Sequence, residues 1–305
     1  MKNAIGCAGV GLHSGARVNM TLKPAAADTG VVFRRIDVCG DAGVIPADIG
    51  HVVNATMGTT IGNEAGTTIA TIEHLMAAMH GTGIDNLLVE LDGPEVPIMD
   101  GSAAPFIFLV ECAGTVVQAR PRRSIEVLKP VEVSDKDKRA SLSPGPGFSL
   151  DFKIDFDSAA IGHQDAEVQL VNGNFKDQVS PARTFGFTHE IEQLRALGLA
   201  RGGSLENAIV VSGDAVLNEE GLRFEDEFVR HKILDTIGDL YLAGAPIIGH
   251  FHGHRSGHAL NHELLRKLLA DQSAWRFATH TSVSATRATP VTADRGLEEA
   301  SVATA

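Results

Sequence analysis

Positive charge is in short supply in this chain. Lys and Arg number 26 against 38 Asp and Glu, giving a formal net charge of -12 and a pI near 5.5. That balance argues against nucleic acid as a partner. Cysteine is scarcer still: only Cys7, Cys39 and Cys112, widely separated and without a C-x-x-C pair. A metal cage built from thiolates therefore finds no support, and an odd, sparse count fits reduced thiols and a cytoplasmic location. No stretch is long and apolar enough to span a bilayer. The opening MKNAIGCAGVGLHSG lacks the long apolar core of a signal peptide. Any lipid is accordingly expected as a substrate or at a membrane surface.

What is present is an ordinary globular composition, 44% hydrophobic and 21% charged over 305 residues, a length that favours two domains over one core. RVNMTLKP and VVFRRIDV alternate as half-exposed strands. TTIATIEHLMAAMHGTG has helical period and ends at Gly81 and Gly83. IDNLLVELDGP reads as a strand and SAAPFIFLVECAG as a helix. The basic, proline-containing run Ala119 to Ser124 is the expected linker. Beyond it, SIEVLKPVEVSD, FSLDFKIDFD, NAIVVSGDAVL and PIIGHFHGH read as strands, and THEIEQLRALGL, the segment around His231 and HALNHELLRKLLADQ as helices. The two blocks echo each other in outline but share no residue-level repeat. The expectation is an N-terminal α+β domain over 1-120, a C-terminal one over 121-280, and a disordered tail over 281-305.

The chemistry gathers in VRHKILDTIGDLYL. His231, Asp235 and Asp239 fall at four-residue intervals, one stripe of a helix, whose other positions, Ile233, Leu234, Ile237, Leu240 and Leu242, are apolar. A buried helix does not carry an imidazole and two carboxylates unless something satisfies them, and a divalent metal does so. Glu73-His74 sits in a second apolar helix, among Ile72, Leu75, Met76 and Met79. Together the helices offer His74, His231 and Asp235, the three protein ligands of a catalytic zinc site with an open position, and Glu73 beside a ligand as a base. The plain alternative is a helix face closed by hydrogen bonds and salt bridges. On this reading Arg230 and Lys232 point elsewhere on the helix.

Other histidines are more conspicuous. His250, His252 and His254 alternate on one strand face, but no carboxylate is near in sequence, so a partly exposed polar face is expected. His262-Glu263 and His189-Glu190 begin like H-E-x-x-H and fail at Arg266 and Gln193. Thr184 in ARTFGF is either an oxyanion donor or a plain strand threonine. His258, at a helix start after Gly257, is either an ordinary first-turn residue or an acid facing a metal, with Asp239 as candidate partner.

GVGLHSG, TIEHLMAAMHGTGIDNLLVEL, EVPIMDGSAAPF, ARTFGF, GLRFEDEFVRHKILDTIGDLYL and SGHALN together resemble the UDP-3-O-acyl-N-acetylglucosamine deacetylases, the zinc amidases of bacterial lipid A biosynthesis. The motifs occur in order from about Ile5 to Trp275. The resemblance implies zinc on His74, His231 and Asp235, with iron(II) as the other metal this donor set suits. It implies Glu73 as general base, His258 as the protonated group serving oxyanion and leaving amine, Thr184 as a donor to the tetrahedral intermediate and Asp239 as the residue that orients His258. Lys232 is implied as a substrate contact, with Phe185, Glu190 and Ile191 in the sugar and acyl-chain environment, where the chain needs an apolar passage.

The fold expected with this resemblance is α+β: two domains of similar topology, each a small β-sheet layered against α-helices, the helices facing each other across the active site. The substrate implied is an acylated UDP-N-acetylglucosamine, with no nucleic acid and no membrane span. The first strand is expected to be short, and the terminal ASVATA is a candidate handle for proteolytic control. Two rivals stay open: a zinc amidase or peptidase for another substrate, and a nucleotide-sugar binding module whose His and Asp residues only pack.

Overall fold

The structure, a computed structural model, describes residues 1–171 and 173–280. The tail 281–305, expected to be disordered, and the ASVATA terminus lie outside the described residues.

Among the described residues the chain is α+β, with two main sheets, two small ones and six helices. We name the helices α1 (Glu73–Thr82), α2 (Ala104–Ala113), α3 (Phe175–Gln178), α4 (Thr188–Ala196), α5 (Glu227–Tyr241) and α6 (His258–Ala270). The first sheet is five-stranded in the order Ile5–Val10, Arg17–Pro24, Leu87–Leu91, Val31–Arg35, Val44–Pro46. The second is seven-stranded. Its path runs Val131–Asp135, Lys138–Ser143, Ile247–His254, Phe148–Asp155, His163–Gln169, and Arg122–Val127 joins Ile247–His254 to Trp275–His280.

The echo between the halves is topological. Each main sheet is mostly antiparallel but contains a parallel pair bridged by a helix-bearing connection: Val31–Arg35 with Leu87–Leu91 across α1, and Phe148–Asp155 with Ile247–His254 across α5. A parallel pair needs a crossover of this kind, and each crossover helix is followed by its strand and a further helix, α2 or α6. No shared residues are needed for that likeness.

Alternation explains the sheets. In Arg17–Pro24 the side chains of Val18, Met20 and Leu22 are buried. In Phe148–Asp155 those of Phe148, Leu150, Phe152 and Ile154 are buried and the intervening ones face outward. The helices α1 and α5 are covered nearly all round: Glu73 through Met79 and almost the whole of α5 are buried, charged side chains included. They pack on each other; α5 also lies on Phe148–Asp155 and His163–Gln169, α6 on Val131–Asp135 and Lys138–Ser143, and α2 on α1 and Ile5–Val10. One apolar cluster runs through both halves.

The α1–α5 contact is backbone to backbone at Gly238, where a Cβ would lie 2.0 Å from the Glu73 carbonyl oxygen. Glycine there lets two helices bearing charged side chains come together closely enough to share one centre. The entry to α1 is strained. Thr71, a β-branched residue, has φ 58°, a region such residues avoid. It is held by Glu95, whose buried carboxylate accepts from Thr71 Oγ1 at 3.0 Å and from the backbone N–H groups of His13 and Ser14 at 2.8 and 2.9 Å.

Several expectations need correction. The linker expected over Ala119 to Ser124 ends earlier, because Arg122–Val127 is already a strand, paired with Trp275–His280. That last strand had no signal, since its partner lies about 150 positions upstream. NAIVVSGDAVL is two short strands, Ile209–Ser212 and Ala215–Val216, because Gly213 turns the chain at φ 58°. The helix read from TTIATIEHL begins at Glu73, after a short strand Thr68–Ile69; the stretch between carries the Thr71 strain.

Candidate metal centre

His74, His231 and Asp235 converge in the buried space between α1 and α5, with one ligand atom from each inside a span of 4.8 Å. Asp235 Oδ1 lies 3.4 Å from His74 Nε2 and 3.3 Å from His231 Nε2, and the imidazoles meet edge to face at 4.9 Å. The His231 tautomer follows from its partner. Nδ1 sits 3.1 Å from the Ala182 carbonyl, which can only accept, so Nδ1 carries the proton and Nε2 presents a lone pair to the centre. Burial, with the charges of His74 and Lys232, pushes the His231 pKa down to about 3 against the pull of Asp235, so the ring is neutral. Burial alone would raise the Asp235 pKa, but His231, Lys232, His74 and His258 hold it well below the ordinary carboxylate range.

Two imidazole nitrogens and one ionised carboxylate oxygen, all buried and mutually close, fit a divalent metal such as zinc or iron(II). The alternative of a helix face closed only by its own hydrogen bonds does not account for the two ring nitrogens both aimed at one carboxylate oxygen.

Lys232 corrects the expectation that it points elsewhere. It donates from Nζ to Asp235 Oδ2 at 2.8 Å, which leaves Oδ1 to face the imidazoles. The spacing of three is a same-face spacing on a helix. Burial opposes its charge, but Asp235, Asp239 and Glu73 outweigh that and raise its pKa.

His258, in the first turn of α6, donates from Nδ1 to Asp239 Oδ2 at 2.9 Å, and its Nε2 lies 3.9 Å from Asp235 Oδ2. Burial would strip its charge, yet Asp239, Asp235 and Glu73 hold its pKa up at about 9, so it is protonated at neutral pH. Asp239 is completely buried and takes donors on both oxygens: Thr59 Oγ1 at 2.6 Å, His262 Nε2 at 3.2 Å, His258 Nδ1 at 2.9 Å and Asn261 Nδ2 at 2.9 Å. Burial would raise its pKa, but His258 and His262 hold it far below the usual carboxylate range, so it stays ionised.

The Glu73 carboxylate is buried beside His74 and accepts the Thr59 backbone N–H at 2.9 Å. Thr184 is half-buried, its backbone pinned between Gly101 and Ile209. Phe185 stands edge-on 5.0 Å from Phe228 and 6.2 Å from His231, an apolar wall beside the ligands. Ile191, in α4, is half-buried against Gly186, whereas Glu190 is exposed. No hydrogen bond or ion pair links either residue to the metal centre among the described residues.

Thr59, Asn261 and His262 were missed. Thr59 has no local signal. His258, Asn261 and His262 share a stripe of α6, as His231, Asp235 and Asp239 do on α5, and reading that stripe would have found them; testing His262 only against H-E-x-x-H hid it. The strand histidines need correcting too. His250 Nε2 pairs with Asp151 Oδ2 at 3.0 Å and His252 Nδ1 pairs with the other oxygen. Asp151 is directly opposite His252 on the neighbouring parallel strand, a carboxylate that distance in sequence concealed. The expectation of a partly exposed polar face holds, now with its partner.

The model of the family described as UDP-3-O-acyl N-acetylglycosamine deacetylase matches residues 1–270. Relatives bearing the name UDP-3-O-acyl-N-acetylglucosamine deacetylase include that of Phenylobacterium zucineum, 54% identical over 272 residues, covering 89% of this chain and 93% of the relative. That of Acidithiobacillus ferrooxidans is 52% identical over 282 residues, covering 92% of each. That of Pseudomonas entomophila is 54% identical over 277 residues, covering 90% and 91%. With a match over nearly the whole described chain and relatives above half identity, the chain belongs to the UDP-3-O-acyl N-acetylglycosamine deacetylase family.

Proposed function

We propose that the protein removes the N-acetyl group of UDP-3-O-acyl-N-acetylglucosamine by hydrolysis, giving acetate and the UDP-3-O-acyl-glucosamine, and that His74, His231 and Asp235 hold zinc for it. One observation carries this reading: His74, a neutral His231 and an ionised Asp235 share a buried centre with the carboxyl group of Glu73 and an imidazolium, His258. A candidate base and a protonated acid beside one metal-ligand set are what amide hydrolysis requires. The division into units 1-120 and 121-280 is part of the same reading, each unit supplying one crossover helix to the centre. We assign the reaction to the cytoplasm on the strength of three unpaired cysteines; among the described residues no helix is long and apolar enough to cross a membrane. The terminal ASVATA stays a proposed proteolytic handle.

Zinc in this site supplies Lewis acidity, polarising the amide carbonyl and acidifying water. Glu73 takes the proton from the attacking water as its oxygen bonds to the carbonyl carbon. Thr184 donates to the oxygen that gains charge, and the His258 imidazolium stabilises the same charge. As the C–N bond breaks, His258 gives its proton to the departing amine, and Asp239 keeps the ring oriented throughout. Lys232 holds Asp235 in place and presents positive charge toward the substrate. Phe185 and Ile191 contribute apolar surface for the acyl chain, with Glu190 at the edge of that region.

The test is acetate release from the acylated UDP-sugar by wild type and Glu73→Gln, with metal content measured on both. The expected result is a bound equivalent of zinc in each and a rate reduced at least about 100-fold in the variant. Wild-type turnover in Glu73→Gln refutes the base assignment, and a protein that takes up no metal refutes the centre.

A further inference from the structure

We propose that Thr59 is a positioning residue that ties the general base to the group orienting the general acid. The inference rests on the assignment of Glu73 and His258 made above. Thr59 lies in TMGTTIG, between no recognisable motif and a short strand, Thr60–Gly62, and is completely buried.

All three of its polar groups are engaged. The backbone N–H donates to Glu73 Oε2 at 2.9 Å. The carbonyl accepts the N–H of Ile72, at the entry to α1, at 3.3 Å. The hydroxyl donates to Asp239 Oδ1 at 2.6 Å, a short, charge-assisted bond. Asp239 in turn holds His258 through its other oxygen. One residue thus touches the carboxylate on α1 and the carboxylate on α5 that orients the imidazole on α6.

The residue before it is shaped for the same purpose. A Cβ on Gly58 would lie 2.8 Å from Glu73 Oε1, so bare backbone closes against the carboxylate. Glu73 is gripped through backbone and Asp239 through the hydroxyl, and a substitution at Thr59 separates the two. Asp239 keeps His258, His262 and Asn261 as donors when the hydroxyl is lost, so its charge remains compensated. What changes is the angle at which it holds the ring. Misplaced supports of this kind cost turnover while the ligands stay in place.

The experiment uses the full chain with zinc and compares Thr59→Val, which keeps the shape without the hydroxyl, with Thr59→Ser, which keeps the hydroxyl. Thr59→Val is expected to retain its zinc and a KM within about twofold of wild type while kcat falls about 10- to 100-fold; Thr59→Ser is expected to recover kcat to within about threefold. Should Thr59→Val fold too poorly to assay, Thr59→Ala replaces it with the same expectation. Wild-type kcat without the hydroxyl, a loss equal in the valine and serine variants, or a loss explained by released zinc overturns the proposal. Glu73→Gln is run alongside. If it is inactive while Thr59→Val is fully active, only the role of Thr59 falls. If it is fully active, the reading of the site falls first.

Discussion

Replacing Gly238 by alanine puts the closeness of the two central helices to the test. A Cβ there would sit 2.0 Å from the carbonyl oxygen of Glu73, 2.8 Å from its carbonyl carbon and 3.1 Å from its Cα. These are backbone atoms inside a packed helix, so no side chain can swing aside, and α1 and α5 must part by roughly 1 Å to restore ordinary contact. Overpacking of this kind costs about 1–3 kcal/mol, and the higher helix propensity of alanine returns about 1 kcal/mol. The net loss of about 0–2 kcal/mol corresponds to a fall in Tm of no more than roughly 3 °C in a chain of this size. The effect on the centre is larger, because the same displacement separates His74 and Glu73 on α1 from His231 and Asp235 on α5. A displacement of about 1 Å at reacting groups is worth on the order of 100-fold in rate. The assays are thermal unfolding, zinc affinity by competition with a chromophoric chelator, and acetate release. Zinc affinity and turnover within twofold of wild type would refute the claim that the backbone contact at Gly238 sets the site.

His80 gives a pH prediction. Both its ring nitrogens are out of water and without a hydrogen-bond partner among the described residues, the ring wedged between Phe148 and Tyr241, and burial, with Arg122 nearby, pushes its pKa down to about 4. The neutral form is the one folding favours, so its contribution is intact above the unfolded value of about 6.5 and is lost as pH falls through about 4, up to about 3 kcal/mol in all. Denaturant unfolding of wild type should therefore lose more stability over that window than His80→Leu; equal slopes count against it. Removing the buried carboxylate that clasps Arg183 by Glu227→Ala leaves a guanidinium 2% exposed without its main partner, and should cost about 3–5 kcal/mol by urea titration; a loss under 1 kcal/mol contradicts the assigned burial. His252→Ala breaks the pair with Asp151 on a partly exposed strand face, and should leave zinc stoichiometry and kcat unchanged, whereas loss of zinc by elemental analysis would overturn the ligand set.

What could be read in the sequence was what helical spacing encodes. Four-residue steps through His231, Asp235 and Asp239, and the adjacency of Glu73 and His74, lie within single turns, where one chain segment fixes which side chains share a face. The same rule applied to Lys232 and Asp235 would have placed that pair, and applied to His258, Asn261 and His262 it would have shown a second polar stripe on α6. Both pairings are encoded locally, within one or two turns of a helix. The strand histidines were different. Their alternation gave the face, but Asp151 comes from about 100 residues away and meets His252 only through parallel strand register, which no single segment specifies.

Thr59 marks the limit of that kind of reading. Threonine in a short strand region has a sufficient local explanation, and nothing in TMGTTIG distinguishes it from its neighbour Thr60. Its significance comes from lying 14 positions from Glu73 and 180 from Asp239 while bonding to both. The metal ligands need to be particular residue types, because only a few side chains bind a cation, and that chemistry leaves a pattern. A support needs one donor at one point in space, which backbone or any hydroxyl can supply, so composition carries little trace of it. The order in which the site became visible, ligands and base first, acid next, supports last, follows how narrowly chemistry restricts each position.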